Sequence, residues 1–153
     1  MPGPLTGFRV IDLTTMVSGP VATMMLGDQG ADVIKIEPPG GEYMRKAGVP
    51  YRGMPSGFLS CNRSKRSLAI DLKQPQGLEV AKKLVATADV LVQNFRPGAI
   101  ERMGLGEDVV RSIQPKIIFV SISGFGESGP YAGQRVYDPI IQAISGLADI
   151  QRD

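Results

Sequence analysis

Four stretches of this sequence carry residue types that suit an anionic, nucleotide-like ligand. Ser18-Gly19-Pro20 runs into a predicted helix, whose first amides and positive dipole end make a natural anion site. The alternative is that Ser18 only caps that helix. Asn94-Phe95-Arg96-Pro97-Gly98 sets an amide, an aromatic face, a guanidinium and a rigid turn in succession. That order suits a purine with a phosphate nearby, or else a Pro-Gly turn over a buried Phe. Lys73 closes a predicted strand, and its position points it at the ligand side. Arg102 follows on a short predicted helix, where it serves either a phosphate or a surface ion pair. Asn62-Arg63-Ser64-Lys65-Arg66 is a basic cluster, and such runs usually form a solvated face. Cys61 has no neighbour that would activate it and reads as a buried or inert thiol.

Other chemistries are excluded by what the chain lacks. It has 153 residues and no histidine, so Ser-His or Cys-His nucleophiles and His-ligated metals are ruled out within it. One cysteine makes neither an internal disulfide nor a cysteine-rich zinc site. Neither the G-x-G-x-x-G spacing nor a P-loop is present, so a generic dinucleotide or nucleoside triphosphate site has little support. The 17 basic and 15 acidic residues give a net charge of +2, too balanced to call for a nucleic-acid partner. No apolar run reaches membrane-spanning length, and Met1-Pro2-Gly3-Pro4 has no signal-peptide character. A cytoplasmic location is expected.

Patterning supplies the elements that must position these residues. Residues 8–13 (FRVIDL), 32–37 (DVIKIE), 67–72 (SLAIDL), 89–92 (DVLV) and 116–121 (KIIFVS) read as strands, the last of the kind buried on both faces. Helices are predicted over 20–29, closed by Gly30, and from Pro75 through Leu78, Ala81, Leu84, Val85 and Ala88. Shorter ones follow near 99–103 and 107–112, and another begins at 138–146. Residues 38–57 and 124–133 are rich in glycine and proline and read as loops. Five strands alternating with helices predict an α/β fold: a Rossmann-like, open, mostly parallel sheet with helices on both faces. Ligands of such sheets bind beyond the carboxyl ends of the strands. Here those ends are residues 14–20, 38–41, 73–75, 94–98 and 123–126.

In this order the motifs resemble the class III CoA-transferases, the CaiB/BaiF family of formyl-CoA transferase-like and 2-methylacyl-CoA racemase-like proteins. They are G-x-R-V-I-D-L (7–13), G-A-D-V-I-K-I-E-P-P-G-G (30–41), N-R-S-K-R-S-L-A-I-D-L-K (62–73), D-V-L-V-Q-N-F-R-P-G (89–98), S-G-F-G-x-x-G-P-Y (123–131) and Y-D-P-I-I-Q-A-I-S-G-L (137–147). The resemblance implies a CoA-transferase with acyl-CoA and carboxylic acids as its small-molecule substrates and no tightly bound cofactor. It also implies an interlinked homodimer, with residues 1–153 as the N-terminal part of the CoA-binding large domain.

By position, the family's CoA contacts fall on Val17 and Ser18; on Ile70, Asp71, Leu72 and Lys73; on Asn94, Phe95 and Arg96; on Arg102; and on Gln134, Arg135, Val136 and Tyr137. Two departures stand out. Pro38 occupies the place of an arginine after the second strand, leaving that phosphate contact missing or supplied by Arg45. The family's nucleophilic aspartate lies in a Gly-Asp motif beyond residue 153. Asp149 and Asp153 stand too close to the Tyr-Asp segment, and neither follows a glycine. No catalytic residue is therefore assigned, and the chain alone is expected to bind CoA without turnover. A racemase needs an acid/base pair, and family racemases put a histidine where Tyr137 stands here. A non-catalytic CoA-binding fragment is the other alternative.

Overall fold

The computed structural model describes residues 3–151; Met1, Pro2 and Asp153 of the readings above lie outside them. Five strands, β1 (Arg9–Asp12), β2 (Asp32–Glu37), β5 (Lys65–Ala69), β6 (Val90–Gln93) and β7 (Ile118–Ser121), form one parallel sheet. Their order is β5-β2-β1-β6-β7. A two-stranded antiparallel pair, β3 (Pro50–Tyr51) and β4 (Met54–Pro55), stands apart from it. The alternation of side chains along a strand divides the core in two. Ile11, Ile34 and Leu91 point to one face, under α3 (Pro75–Val85), α4 (Ala99–Arg102) and α5 (Glu107–Ile113), through Ala81, Val85, Ile100 and Val110. Val10, Val33 and Val92 point to the other, where Leu26 of α1 (Ser18–Asp28) packs. The expected α/β sheet, covered on both faces, is what the chain forms.

Local chemistry explains the element ends. Gly30 takes φ +100° after α1, and the backbone turns there into β2. Pro75 opens α3, where its missing N–H costs nothing, and Lys82 and Lys83 sit favourably at the opposite dipole end. From β1 the chain steps outward to β2 and β5, then crosses to β6 and β7 on the opposite side of β1. The topological switch point thus lies between β1 and β6, which is where sheets of this kind bind ligands.

Four expectations need correction. The strand predicted at 67–72 is β5, Lys65–Ala69: its ladder stops where Ala69 meets Glu37, the last residue of β2. Residues 70–73 are therefore loop. The segment 38–57 is not structureless; it holds a 3-10 turn, Tyr43–Arg45, and the β3–β4 pair. A further helix, α2 (Ser56–Asn62), buries Phe58, Cys61 and Asn62 and packs on α1. Finally, β7 is an edge strand, and Ile118 is 60% exposed rather than buried on both faces.

Candidate functional site

The sheet face beneath α1 turns polar toward the carboxyl ends of its strands. Asp12 and Lys35 are register partners in adjacent strands, and both are buried. Asp12 Oδ1 accepts from the Thr14 amide (2.8 Å) and hydroxyl (2.5 Å). Its Oδ2 accepts from Thr23 Oγ1 (2.8 Å) and Lys65 Nζ (2.9 Å). Lys65 reaches over the sheet from β5 and also donates to the Pro20 carbonyl (2.8 Å) and Asn62 Oδ1 (3.0 Å). Burial pulls the Lys65 ammonium below the ordinary lysine value, against the attraction of Asp12. Lys35 Nζ lies 3.3 Å from Glu42 Oε1, an ion pair without hydrogen-bond geometry.

Glu37, at the end of β2, completes the row. Arg45 donates to both of its oxygens (2.6 Å each), with Ser67 Oγ (2.7 Å) and the Glu42 amide (3.2 Å) also donating. Burial pushes the Glu37 carboxyl up, but these donors outweigh it and hold the group at about 2. Arg45 also stacks on Phe58, 4.0 Å from the ring centre. Asp12, Glu37 and Glu42 are thus matched by Lys35, Lys65 and Arg45. The basic cluster at 62–66 does not form one solvated face: Lys65 is interior, while Arg63 and Arg66 pair with Asp28 and Asp32. Sequence reasoning missed this row. Its signal was a pair of charges, Lys35 and Glu37, alternating with the apolar residues Ile34 and Ile36 of β2.

Above the row sits the loop after β1, held one residue at a time. Lys35 Nζ donates to the Thr14 carbonyl (2.7 Å). Asn94 brackets Thr15, accepting from its amide (2.9 Å) and donating to its carbonyl (2.8 Å). The bracket spans the switch point between β1 and β6. Glu42 Oε2 accepts from the Met16 amide (3.0 Å), and Met16 stands at φ +68°, a region unfavourable for its side chain. Val17 then N-caps α1 by its backbone alone. Ser18 is the exposed first residue of α1, and its hydroxyl makes no hydrogen bond among the described residues, so it does not cap the helix.

The second group of predicted residues meets in a cleft of about 380 Å³, lined by Leu72, Lys73, Gln74, Pro75, Leu78, Arg102 and Met103. Asp71 shapes its rim: its side chain accepts from the Lys73 amide (3.0 Å) and its carbonyl from the Gln74 amide (3.1 Å). Lys73 and Arg102 are exposed, and neither has a carboxylate partner among the described residues. Ile70, Leu72 and Phe95 pack against the apolar core behind them. Arg96 is exposed on the turn before α4. Gln134, Arg135, Val136 and Tyr137 belong to another region, the approach to α6 (Asp138–Ile144), and are not in this cleft. Val136 packs there so closely on Gly124 that a Cβ on that glycine would lie 2.6 Å from it.

Residues 5–153 match the CoA-transferase family III. The chain belongs to that family. It is 47% identical over 149 residues to the succinyl-CoA:glutarate CoA-transferase of Mus musculus, covering 96% of this chain and 34% of the relative. Against the succinyl-CoA–L-malate CoA-transferase beta subunit of Chloroflexus aurantiacus it is 44% identical, covering 95% of this chain and 36% of the relative. A CAIB/BAIF family protein from Brucella suis has the same fold, with a TM-score of 0.93 and 39% identity over 97% of this chain and 41% of that one. The family III chain thus spans about a third of the length of these curated relatives.

Arg45, the residue expected to replace a phosphate contact missing at Pro38, is already engaged within the fold. Its guanidinium is held by Glu37 and faces Ser67 Oγ at 3.4 Å. It borders a separate cleft of about 350 Å³ with residues 37–41, Ser67 and Ala69. No helix among the described residues is long and apolar enough to cross a membrane.

Proposed function

We propose that this chain is the coenzyme A-binding part of a CoA-transferase that moves CoA from an acyl-CoA to a carboxylic acid. The observation that carries the reading is the pair Lys73 and Arg102. Two uncompensated cations share one cleft at the carboxyl ends of the strands, in a chain of this family. CoA presents a 3′-phosphate and a diphosphate, which several cations around one adenine pocket recognise. Leu72, Leu78 and Met103 supply the apolar wall of the cleft, and Ile70 and Phe95 pack against the core behind it. The helix end at Ser18 stands at the neighbouring switch point for a second anionic group.

The reaction of the whole enzyme is covalent catalysis by an aspartate. The carboxylate attacks the acyl-CoA thioester, giving an acyl-aspartyl anhydride and releasing CoA thiolate. The thiolate attacks the aspartyl carbonyl, giving an aspartyl-CoA thioester and the free acid. The acceptor carboxylate then takes over the CoA by the same two steps in reverse. Asp12, Glu37 and Glu42 are unsuited to that role, because each is buried and neutralised by a cation. This chain is assigned the grip on CoA and no nucleophile. It works in the cytoplasm as part of a homodimer. In support of further packing, α6 and α7 (Leu147–Ile150) bury no residue and expose Ile140, Ile144, Leu147 and Ile150.

Calorimetric titration with CoA, ATP and NAD tests the grip. CoA is expected to bind tightest, and equal affinity for ATP or NAD would overturn the reading. Transfer is assayed on the longest product of the gene, with succinyl-CoA and dicarboxylate acceptors as the first pairs, since two of the relatives carry succinyl-CoA in their names.

A further inference from the structure

Met16 is the point where the loop after β1 departs from ordinary backbone. A methionine at φ +68° is disfavoured by contact of its Cβ with the backbone, so its neighbours must hold it there. The Met16 amide has one acceptor, Glu42 Oε2 at 3.0 Å. Glu42 is itself fixed from two sides: its other oxygen faces Lys35 Nζ at 3.3 Å, and its own amide donates to Glu37. A buried carboxylate anchored in the ionic row is therefore the last hold on the loop before Val17 and Ser18. Those two residues are exposed and begin α1 at the switch point. Lys35 holds Thr14 and Asn94 holds Thr15, but neither touches Met16.

We propose that Glu42 is a positioning residue of the coenzyme A site: by accepting the Met16 amide hydrogen it keeps Met16 left-handed and sets where Val17 and Ser18 stand. The inference rests on the CoA-binding reading above. Without that acceptor Met16 relaxes to a negative φ, and the start of α1 swings away from the ligand.

The test is calorimetric CoA titration and thermal melting of the full-length gene product as wild type, Glu42→Ala, Glu42→Gln, and Glu42→Ala combined with Met16→Gly. Glu42→Ala is expected to weaken CoA binding about tenfold, the value of one charge-assisted hydrogen bond. Glu42→Gln keeps an acceptor for Met16 but loses the charge opposite Lys35. It should lower the melting temperature as Glu42→Ala does, yet weaken CoA by only about twofold. Glycine takes positive φ freely, so Met16→Gly should restore most of the affinity lost in Glu42→Ala while leaving the melting temperature low. Absence of that rescue, or CoA affinity falling in step with melting temperature across all the variants, would overturn the proposal. Should Glu42→Ala fail to fold, Glu42→Gln decides: a tenfold loss of affinity refutes the proposal, and a twofold loss at lowered melting temperature supports it. A wild-type protein that does not bind CoA would instead sink the functional reading itself.

Discussion

Truncating Lys73 and Arg102, singly and together, separates ligand grip from fold stability. Both side chains are exposed on one cleft and have no carboxylate partner among the described residues. Lys73→Ala or Arg102→Ala therefore leaves no buried charge behind, and stability should move by no more than about 0.5 kcal/mol. Binding is different. A charge-assisted hydrogen bond to phosphate contributes about 1.5–3 kcal/mol. Exposure and salt screening favour the lower end, about 1.5 kcal/mol or tenfold in affinity per residue at physiological ionic strength. Because the two cations share a cleft, the double variant should depart from additivity by about 0.5 kcal/mol or more. Calorimetry with CoA and dephospho-CoA reads the result, with Lys116→Ala as an exposed control outside this cleft. The residue that holds the 3′-phosphate loses its effect when dephospho-CoA replaces CoA. Raising the salt should narrow all the differences. Unchanged CoA affinity in both single variants, or a loss no larger than that of the control, would show that the phosphates lie elsewhere.

Three further outcomes follow from the polar interior and the cleft rim. Lys65→Met leaves Asp12 with Lys35 at 3.9 Å as its remaining cation and should cost about 3 kcal/mol in denaturant unfolding; a loss below about 1 kcal/mol would mean that the pair is not essential. Gly77→Ala gains about 1 kcal/mol of helix propensity, yet its Cβ would fall 2.1 Å from the Asp71 carbonyl oxygen, so the clash wins. The variant should be less stable and bind CoA more weakly, because residues 71–73 must shift; a more stable variant would contradict the close approach. Glu37 is held at about 2, below its ordinary 4.5, so its ionised form stabilises the fold fully above about pH 4.5, and that contribution is lost as the pH falls toward 2. The gap in melting temperature between wild type and Glu37→Gln should therefore narrow over that interval, and a constant gap would refute the assignment.

Much of the architecture was legible because apolar periodicity and glycine or proline punctuation agreed with each other. The run DVIKIE lies within its predicted bounds, and Pro75 opens a helix as expected. What escaped had weak or competing signals. Helix α2 buries Phe58, Cys61 and Asn62 at helical spacing, but seven residues between Pro55 and a basic run carry too short a pattern to outweigh the surrounding glycines. The exposure of β7 is invisible in its composition, since Ile118 and Phe119 suit an interior strand equally well. Only sheet order reveals that no strand among the described residues pairs beyond it. For the candidate site, strand-end logic set Lys73 on the ligand side, and the structure brings it into one cleft with Arg102. That logic could not show that both ends of the Asn94 side-chain amide bond to Thr15, because that depends on the loops meeting across the switch point.

The charged row was harder to see for a reason that bears on the site itself. Lys35 reads as an interruption in an apolar strand, and Lys65 as one member of a solvated cluster. Parity and register together would have exposed them. Val10 and Asp12 share a face of β1, Val33, Lys35 and Glu37 share a face of β2, and aligning the two strands sets Asp12 opposite Lys35. A charge on the inner face of a covered sheet must find a partner, and Lys65 is close enough to supply it. Such an interior is a poor source of stability compared with an apolar one. It does what apolar packing cannot, because ammonium and carboxylate groups also hold backbone atoms at defined points. Lys35 fixes the Thr14 carbonyl, Lys65 the Pro20 carbonyl and Glu42 the Met16 amide. The loop at the switch point is thereby held before any ligand arrives, which lowers the ordering cost of binding there.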